Sequence, residues 1–291
     1  MRRPLFFQKS LLRCLAGLIF FVLLAEDYGA PIDHAKITEV VNDVSVLDAE
    51  ARHGAPARTD AMFQTPQIMK TGAASRSEMV ADDKSVTRVG ANSLFSFEPK
   101  ERVINLKEGS VLFQTPSGKG GGEVRTVAAT AAVLGTTIIV VVTKAGDFKL
   151  LVLEGNGLVT LPNGKRVIVH AGQLVVVPAG AKTPGPVRNF RVKDEVATSL
   201  LVMGFRRRLP SWNEILKEIQ IQEAEIASGQ LQTPSQALGN IVDPNTRINA
   251  AQSQQSNPGS PTGAGTPEPT PAGGTTHKLK GKNPAGPKSP V

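Results

Sequence analysis

The sequence predicts a mainly β protein: a multi-stranded antiparallel β-sandwich, roll or short solenoid, followed by a two-helix segment and a disordered C-terminal tail. Three observations predict it. Short β-branched runs recur through residues 35–180 between turn residues, at intervals of about eight to twelve, as in all-β domains. The run Ile138-Ile139-Val140-Val141-Val142 shows no alternation, so its strand is expected to be covered on both faces. The 28 Gly and 21 Pro favour turns over a compact helical protein.

In chain order, Arg2, Arg3, Lys9 and Arg13 precede an uncharged apolar run, Cys14–Ala25, which Glu26 and Asp27 close. This is the layout of a secretory signal, assigned to residues 1–25, with 26–34 as a linker. Such a run spans about 18 Å as a helix, against a hydrocarbon core of about 30 Å. Export to the periplasm or the extracellular space is therefore expected, and membrane association only if the leader is retained. Cleavage after Ala25 or Ala30 fits imperfectly, since Leu23 and Tyr28 stand where small residues are preferred. The single cysteine, Cys14, lies inside the leader behind Arg13. A Cys-based zinc site, an iron–sulfur cluster and an internal disulfide framework are excluded. The leader carries four basic and no acidic residues, so its removal lowers the formal charge from +8 to +4. That is too little to argue for a nucleic-acid partner.

Within 35–180, Lys36–Val41 and Val44–Leu47 flank Asn42-Asp43, expected as a two-residue hairpin turn because both residues tolerate positive φ. Ser77–Val80 and Ser85–Val89 enclose a second turn at residues 81–84. Leu94–Phe97, Arg102–Leu106, Ser110–Thr115 and Thr136–Thr143 follow. Ala145-Gly146-Asp147 turns the chain into Phe148–Leu153. Pro162-Asn163-Gly164 joins Gly157–Leu161 to Lys165–Val169, and Gln173–Val177 completes the series. The tetrapeptide Phe63-Gln64-Thr65-Pro66 recurs as Phe113-Gln114-Thr115-Pro116. This echo suggests duplicated β-units, but its divergent flanks fall short of a fixed-period solenoid.

The helical segment is residues 194–229. Val196, Leu200 and Met203 recur at helical spacing within Asp194–Phe205, and Arg206, Arg207 and Arg208 suit a helix C-terminus. Pro210 stops that helix. Ser211-Trp212-Asn213-Glu214 then matches a capping box, Trp212, Ile215, Ile219 and Ile226 share one side, and Gly229 terminates. Residues 243–291, rich in Pro, Gly, Ser and Thr, are expected to be disordered, with a polyproline-like spacer at 267–271.

The sequence predicts no catalytic, cofactor-binding or metal-ligating residue, and no enzyme. His34, His53, His170 and His277 lie far apart without paired ligand spacing. Asp82 and Asp83 are adjacent, so on a strand they would face opposite ways, and they read as turn formers. Ser117–Gly122 superficially resembles a phosphate loop but lacks the lysine spacing and the following helix. No aromatic residue interleaves with the tail lysines Lys278, Lys280, Lys282 and Lys288, so the stacking half of single-strand recognition is missing. The Trp212 stripe is read as packing onto the β-domain, with a partner groove as the alternative.

The ordered string Met69-Lys70-Thr71-Gly72, Ser75-Arg76-Ser77-Glu78-Met79 and Asp83 to Ser93, containing Gly90-Ala91-Asn92-Ser93, resembles the first half of a FecR-type domain. Val124-Arg125-Thr126, Ala128 to Thr136, Leu153-Glu154-Gly155 and Ala171-Gly172-Gln173 resemble its second half. The resemblance implies a periplasmic, all-β signalling module of the kind that links an outer-membrane transporter to an anti-sigma segment. Two departures stand out. Leu134 occupies the place before Gly135-Thr136 where the family often has Arg. Only thirteen residues precede the apolar run, too few for a cytoplasmic anti-sigma region, so the fold carries over and iron-uptake regulation does not. Gly72, Gly90, Gly135, Gly155 and Gly172 are expected at turns or bulges. The expected function is an exported, non-enzymatic protein that binds another cell-envelope protein through its β-domain. A structural or glycan-binding envelope component is the alternative.

Overall fold

The computed structural model describes residues 30–232, which form seventeen strands and three helices. The strands are β1 (His34–Val41), β2 (Val44–Leu47), β3 (Gly54–Pro56), β4 (Met62–Gln64), β5 (Ile68–Thr71), β6 (Arg76–Val80), β7 (Val86–Val89), β8 (Leu94–Phe97) and β9 (Val103–Gln114). After these come β10 (Gly122–Arg125), β11 (Thr130–Val133), β12 (Thr137–Val142), β13 (Phe148–Glu154), β14 (Asn156–Thr160), β15 (Arg166–His170), β16 (Gln173–Val177) and β17 (Arg188–Asn189). The helices are α1 (Val192–Thr198), α2 (Leu200–Met203) and α3 (Trp212–Ala227). The signal-peptide and disordered-tail assignments lie outside the described residues.

The strands make two layers that share one long strand. Sheet A runs β4-β1-β6-β7-β9-β12-β13-β16-β17. Sheet B runs β3-β2-β5-β8-β9-β10-β11-β14-β15. The first half of β9, to Glu108, pairs in sheet B, and the second half, from Gly109, pairs in sheet A. The mainly β expectation holds. The antiparallel rule has one exception, since β9 and β10 run parallel.

Side-chain alternation builds two cores from this layout. Ile138, Val140 and Val142 of β12 enter the core between the sheets with Val111, Phe113, Leu150 and Val152. Ile139 and Val141 point the other way, into a second core with Leu112, Leu151, Val196, Leu201 and Ile215. The helical segment thus covers the outer face of sheet A, and the uninterrupted apolar run is the signature of a strand buried on both sides. At one end of the inter-sheet core Phe63, Phe95 and Phe97 pack with ring centroids 5.2–5.8 Å apart.

The motif glycines share one job. Gly72, Gly135 and Gly172 stand where the chain passes from sheet B to sheet A, and Gly90 and Gly155 where it returns. A sixth crossing, at Gly109, lies inside β9. Gly109 has φ +94°, and a Cβ there would overlap Ser93. Ser93 itself ties the crossing together: its hydroxyl donates to the Gly90 carbonyl at 2.9 Å and accepts from the Ser110 amide at 3.0 Å. Thr71 joins the same buried network, accepting from the Ser93 amide at 2.9 Å. The two Phe-Gln-Thr-Pro copies are also crossings. Phe63 and Phe113 both point into the core from sheet A, and the next strand after each belongs to sheet B.

Further expectations change, and Arg102–Leu106 and Ser110–Thr115 belong to one continuous strand, β9. Asn42-Asp43 is not a hairpin turn, because β1 and β2 belong to different sheets. Asn42 does take positive φ, 60°, as a crossing residue. The helix expected over Asp194–Phe205 starts at Val192 and breaks at Ser199, whose extended backbone separates α1 from α2. The capping box at Ser211 does not form: the Ser211 hydroxyl pairs with Thr137 of β12 at 2.6 Å instead. Docking onto the sheet outcompetes the local cap. The turns at 81–84, 145–147 and 162–164 join antiparallel hairpins as expected, and Gly229, φ +74°, follows α3.

Gly109→Ala should lower unfolding free energy by about 3 kcal/mol or more, combining left-handed strain with a clash. Gly164→Ala, with φ +82° but nothing within 4 Å of the added carbon, should cost only about 1 kcal/mol. Urea unfolding of the two variants checks the contrast.

Candidate interaction surface

What the molecule can offer a partner depends on which faces it buries itself. Arg88, on β7, points away from the inter-sheet core toward the helical layer and is 0% exposed. Its Nε donates to Glu78 Oε2 on neighbouring β6 at 2.8 Å. Nη1 donates to the Leu201 and Val202 carbonyls at 2.9 and 2.8 Å, and Nη2 to the Arg207 carbonyl. The Phe205 ring stacks on the guanidinium, 4.5 Å from centroid to Cζ. Thr38 completes the Glu78 side, donating to Oε1 at 2.8 Å. Burial pulls the Arg88 guanidinium below its ordinary value, against the pull of Glu78. One buried cation thus satisfies a carboxylate and three carbonyls at the end of α2 and beyond it. Arg76 adds a bond from Nε to the Gly204 carbonyl at 2.8 Å.

Two further contacts fasten α3. Gln222 accepts from the Val192 amide at 2.9 Å and donates to the Phe190 carbonyl at 2.7 Å. At the N-terminal end, Glu154 Oε1 accepts from Thr137 at 2.6 Å, and Thr137 meets Ser211. Burial raises the Glu154 pKa, and the charges of Glu214 and Glu218 raise it further, against the Thr137 hydrogen bond.

Sheet A is therefore occupied, and the outer face of sheet B is the open one. A row of neighbours in register crosses it: Glu123, Ala132, Leu158 and Ile168. Ile168 is 58% exposed, and Leu134, just beyond β11, is 73% exposed. Beside Leu134 a groove of about 830 Å3 opens between residues 100–103 and the glycine loop 118–122, with Pro31 on its wall. Arg102 holds that groove together. It donates to the Gly121 and Ala30 carbonyls, both at 2.6 Å, and pairs with Asp83 at 2.7 Å. Each guanidinium nitrogen of Arg102 has a protein partner, so this side chain shapes the groove rather than offering a free charge to it.

The residues singled out from the sequence fall apart in space. His34 lies between Asp33 at 2.8 Å and Asp82 at 3.2 Å, and these bonds raise its pKa. His53 pairs with Asp48, and His170 with Asn156. His277 lies outside the described residues. Asp82 and Asp83 diverge, the first to His34 and the second to Ser85 and Arg102. The loop 117–122 forms a groove wall: a Cβ on Gly121 would strike the Val133 carbonyl, and one on Gly122 the Phe113 ring at 2.6 Å. Arg206, Arg207 and Arg208 follow α2 in an irregular segment. Arg207 gives its carbonyl to Arg88, and Arg208 lies over the Trp212 ring. Sequence reasoning missed Arg88 and Glu78. The available signal was strand parity, which places Arg88 on the same face as the buried Val86.

Residues 67–156 match the family model described as FecR protein, which bears out the motif resemblance over that stretch. Two crystal structures of an anti-sigma factor candidate from Parabacteroides distasonis are similar at 16% identity over 44% of this chain, with TM-scores of 0.39 and 0.38. The chain spans just under two thirds of their length, 64% and 63%. No curated protein matches the sequence. The matched stretch contains the crossings at Gly72, Gly90, Gly109, Gly135 and Gly155, as well as Arg88 and Glu78. No helix among the described residues is long and apolar enough to cross a membrane.

Arg88→Ala should cost about 3–5 kcal/mol, because Glu78 is left as an uncompensated buried charge. Limited proteolysis should then cut first within residues 191–232. Replacing Arg88 and Glu78 together by Met should recover part of the loss in urea unfolding. Glu154→Gln tests the raised carboxyl. With the folded pKa above the ordinary 4.5, the native state keeps its proton longer than the unfolded chain. The carboxyl's contribution is present in full below 4.5 and is lost as pH rises through the folded value. The variant should melt higher than wild type at pH 7, and the two should converge in melts below pH 4.5.

Proposed function

We propose that this protein is an exported, non-enzymatic signalling module that binds a second cell-envelope protein through its β-domain. Residues 1–25 direct export in this reading, and residues 243–291 form a spacer that reaches a neighbour. The observation that carries the binding role is the asymmetry of the sandwich. One outer face is closed by the protein's own helices, while the other presents exposed Leu134 beside a groove of about 830 Å3. A half-apolar groove with an exposed aliphatic at its rim suits a protein partner. The FecR match at residues 67–156 supports the reading, since that family is a signalling one.

One observation favours the second reading, a structural or glycan-binding envelope component. Ser96, Asn105, Arg125, Thr130, Thr160 and Arg166 lie in one register row across sheet B, a polar shelf beside the apolar one.

Cross-linking of the full chain in intact envelopes should trap a protein partner. Leu134→Asp should reduce that capture at least tenfold without changing the thermal melt. Unchanged capture, or sedimentation with purified cell wall in its place, would overturn the protein-binding reading.

A further inference from the structure

The two sheets end in four edges, and three of them are blunted. Edge strand β3 is three residues long and contains Gly54 and Pro56. β4 has three residues and runs into Pro66, and β17 has two, preceded by Pro184 and Pro186. Short edges and prolines are the usual protection against unwanted strand pairing. The fourth edge, β15, has neither. Its five residues, Arg166-Val167-Ile168-Val169-His170, have high β propensity and pair only with β14 among the described residues.

The hydrogen-bond phase of β15 fixes which groups face outward. The Leu161 amide donates to the Lys165 carbonyl, and the Ala171 amide to the Gly155 carbonyl. In the β14–β15 register these pairs make every second pair hydrogen-bonded. Arg166, Ile168 and His170 therefore turn their own N–H and C=O groups away from β14. The His170 amide is satisfied by the Gln173 side chain at 3.1 Å. Among the described residues those of Arg166 and Ile168 meet no further strand, and both residues are exposed.

Charge says what fits there. From Gly155 to Lys193 the sequence contains no acidic residue. Exposed Lys165 and Arg166 lie at β15, exposed Lys182 accepts through its carbonyl from Asn163 in the β14–β15 turn, and none of the three makes an ion pair among the described residues. A second copy would bring the same cations to the edge, whereas an acidic strand complements them.

We propose that β15 is the docking edge of this protein, and that an extended acidic segment of a partner protein adds to sheet B there as its next strand. The proposal rests on the protein-binding reading above and names its site and chemistry. Alternating acidic and β-branched residues satisfy both faces: the acids lie beside Arg166, and the aliphatics beside Val167 and Val169.

The test uses the full chain and two labelled octapeptides, (Glu-Val)4 and (Lys-Val)4, read by fluorescence anisotropy. The acidic peptide should bind at least tenfold more tightly than the basic one, and should slow amide exchange at Arg166 and Ile168. Ile168→Pro removes an outward N–H without touching the β14 ladder, and should weaken binding at least tenfold. If that variant misfolds, Lys165→Glu/Arg166→Glu, both at exposed side chains, should reverse the peptide preference. Absence of binding, equal binding of both peptides, or full binding by folded Ile168→Pro would overturn the proposal. So would dimerisation of the chain that Ile168→Pro abolishes. Envelope capture separates the two readings: capture lost in Leu134→Asp but intact in Ile168→Pro overturns the edge alone, and capture intact in both overturns the edge and the surface.

Discussion

The buried pairing of Arg88 with Glu78 holds the third layer of the molecule to the second. A β-sandwich has two outer faces, and a helical segment of fewer than forty residues would cover one of them weakly on apolar contact alone. Arg88 changes that by offering a fork of N–H groups to three carbonyls, which α2 and the segment after it leave without helical partners. The carboxylate opposite keeps the cation tolerable inside, and the Phe205 ring shields it. Desolvation of such a pair is expensive, so its value lies less in net stability than in fixing one position for the cover.

That position decides what is left for others. With sheet A closed, the accessible β-surface is the outer face of sheet B and its free edge. The free edge and the exposed aliphatics Leu134 and Ile168 lie in the second half of the chain, where residues 155–193 carry no acidic residue. The first half also contributes anchoring: Arg76, Glu78 and Arg88 grip the helices, as Thr137 does from β12, and Asp83 with Arg102 fastens the start of the described chain to the glycine loop.

The crossings give the FecR-type motifs a mechanical meaning. Each Gly in them marks a place where the backbone leaves one sheet for the other within one to four residues. Adjacent crossings are bonded to one another, as in the chain from Asp43 through Gly72 to Asn92. Such a stack tolerates varied strand sequences better than displaced corners, because a shifted corner moves every strand that follows it.

Much of this was legible in the order of residues. The β-branched runs located most of the strands, the unbroken Ile138–Val142 stretch announced a strand covered on both faces, and the Trp212 stripe with Gly229 announced α3. These signals are local, because periodicity and turn chemistry act over a few residues. The sequence could not say that Asn42-Asp43 joins two sheets, that Ser211 forsakes its cap for Thr137, or that Arg88 is buried. Each of those outcomes depends on which distant strand or helix arrives opposite, and only the assembled layers supply that neighbour. The open edge at β15 is of the same kind. Its composition was readable from the start, but its lack of a neighbouring strand is a property of the whole sheet.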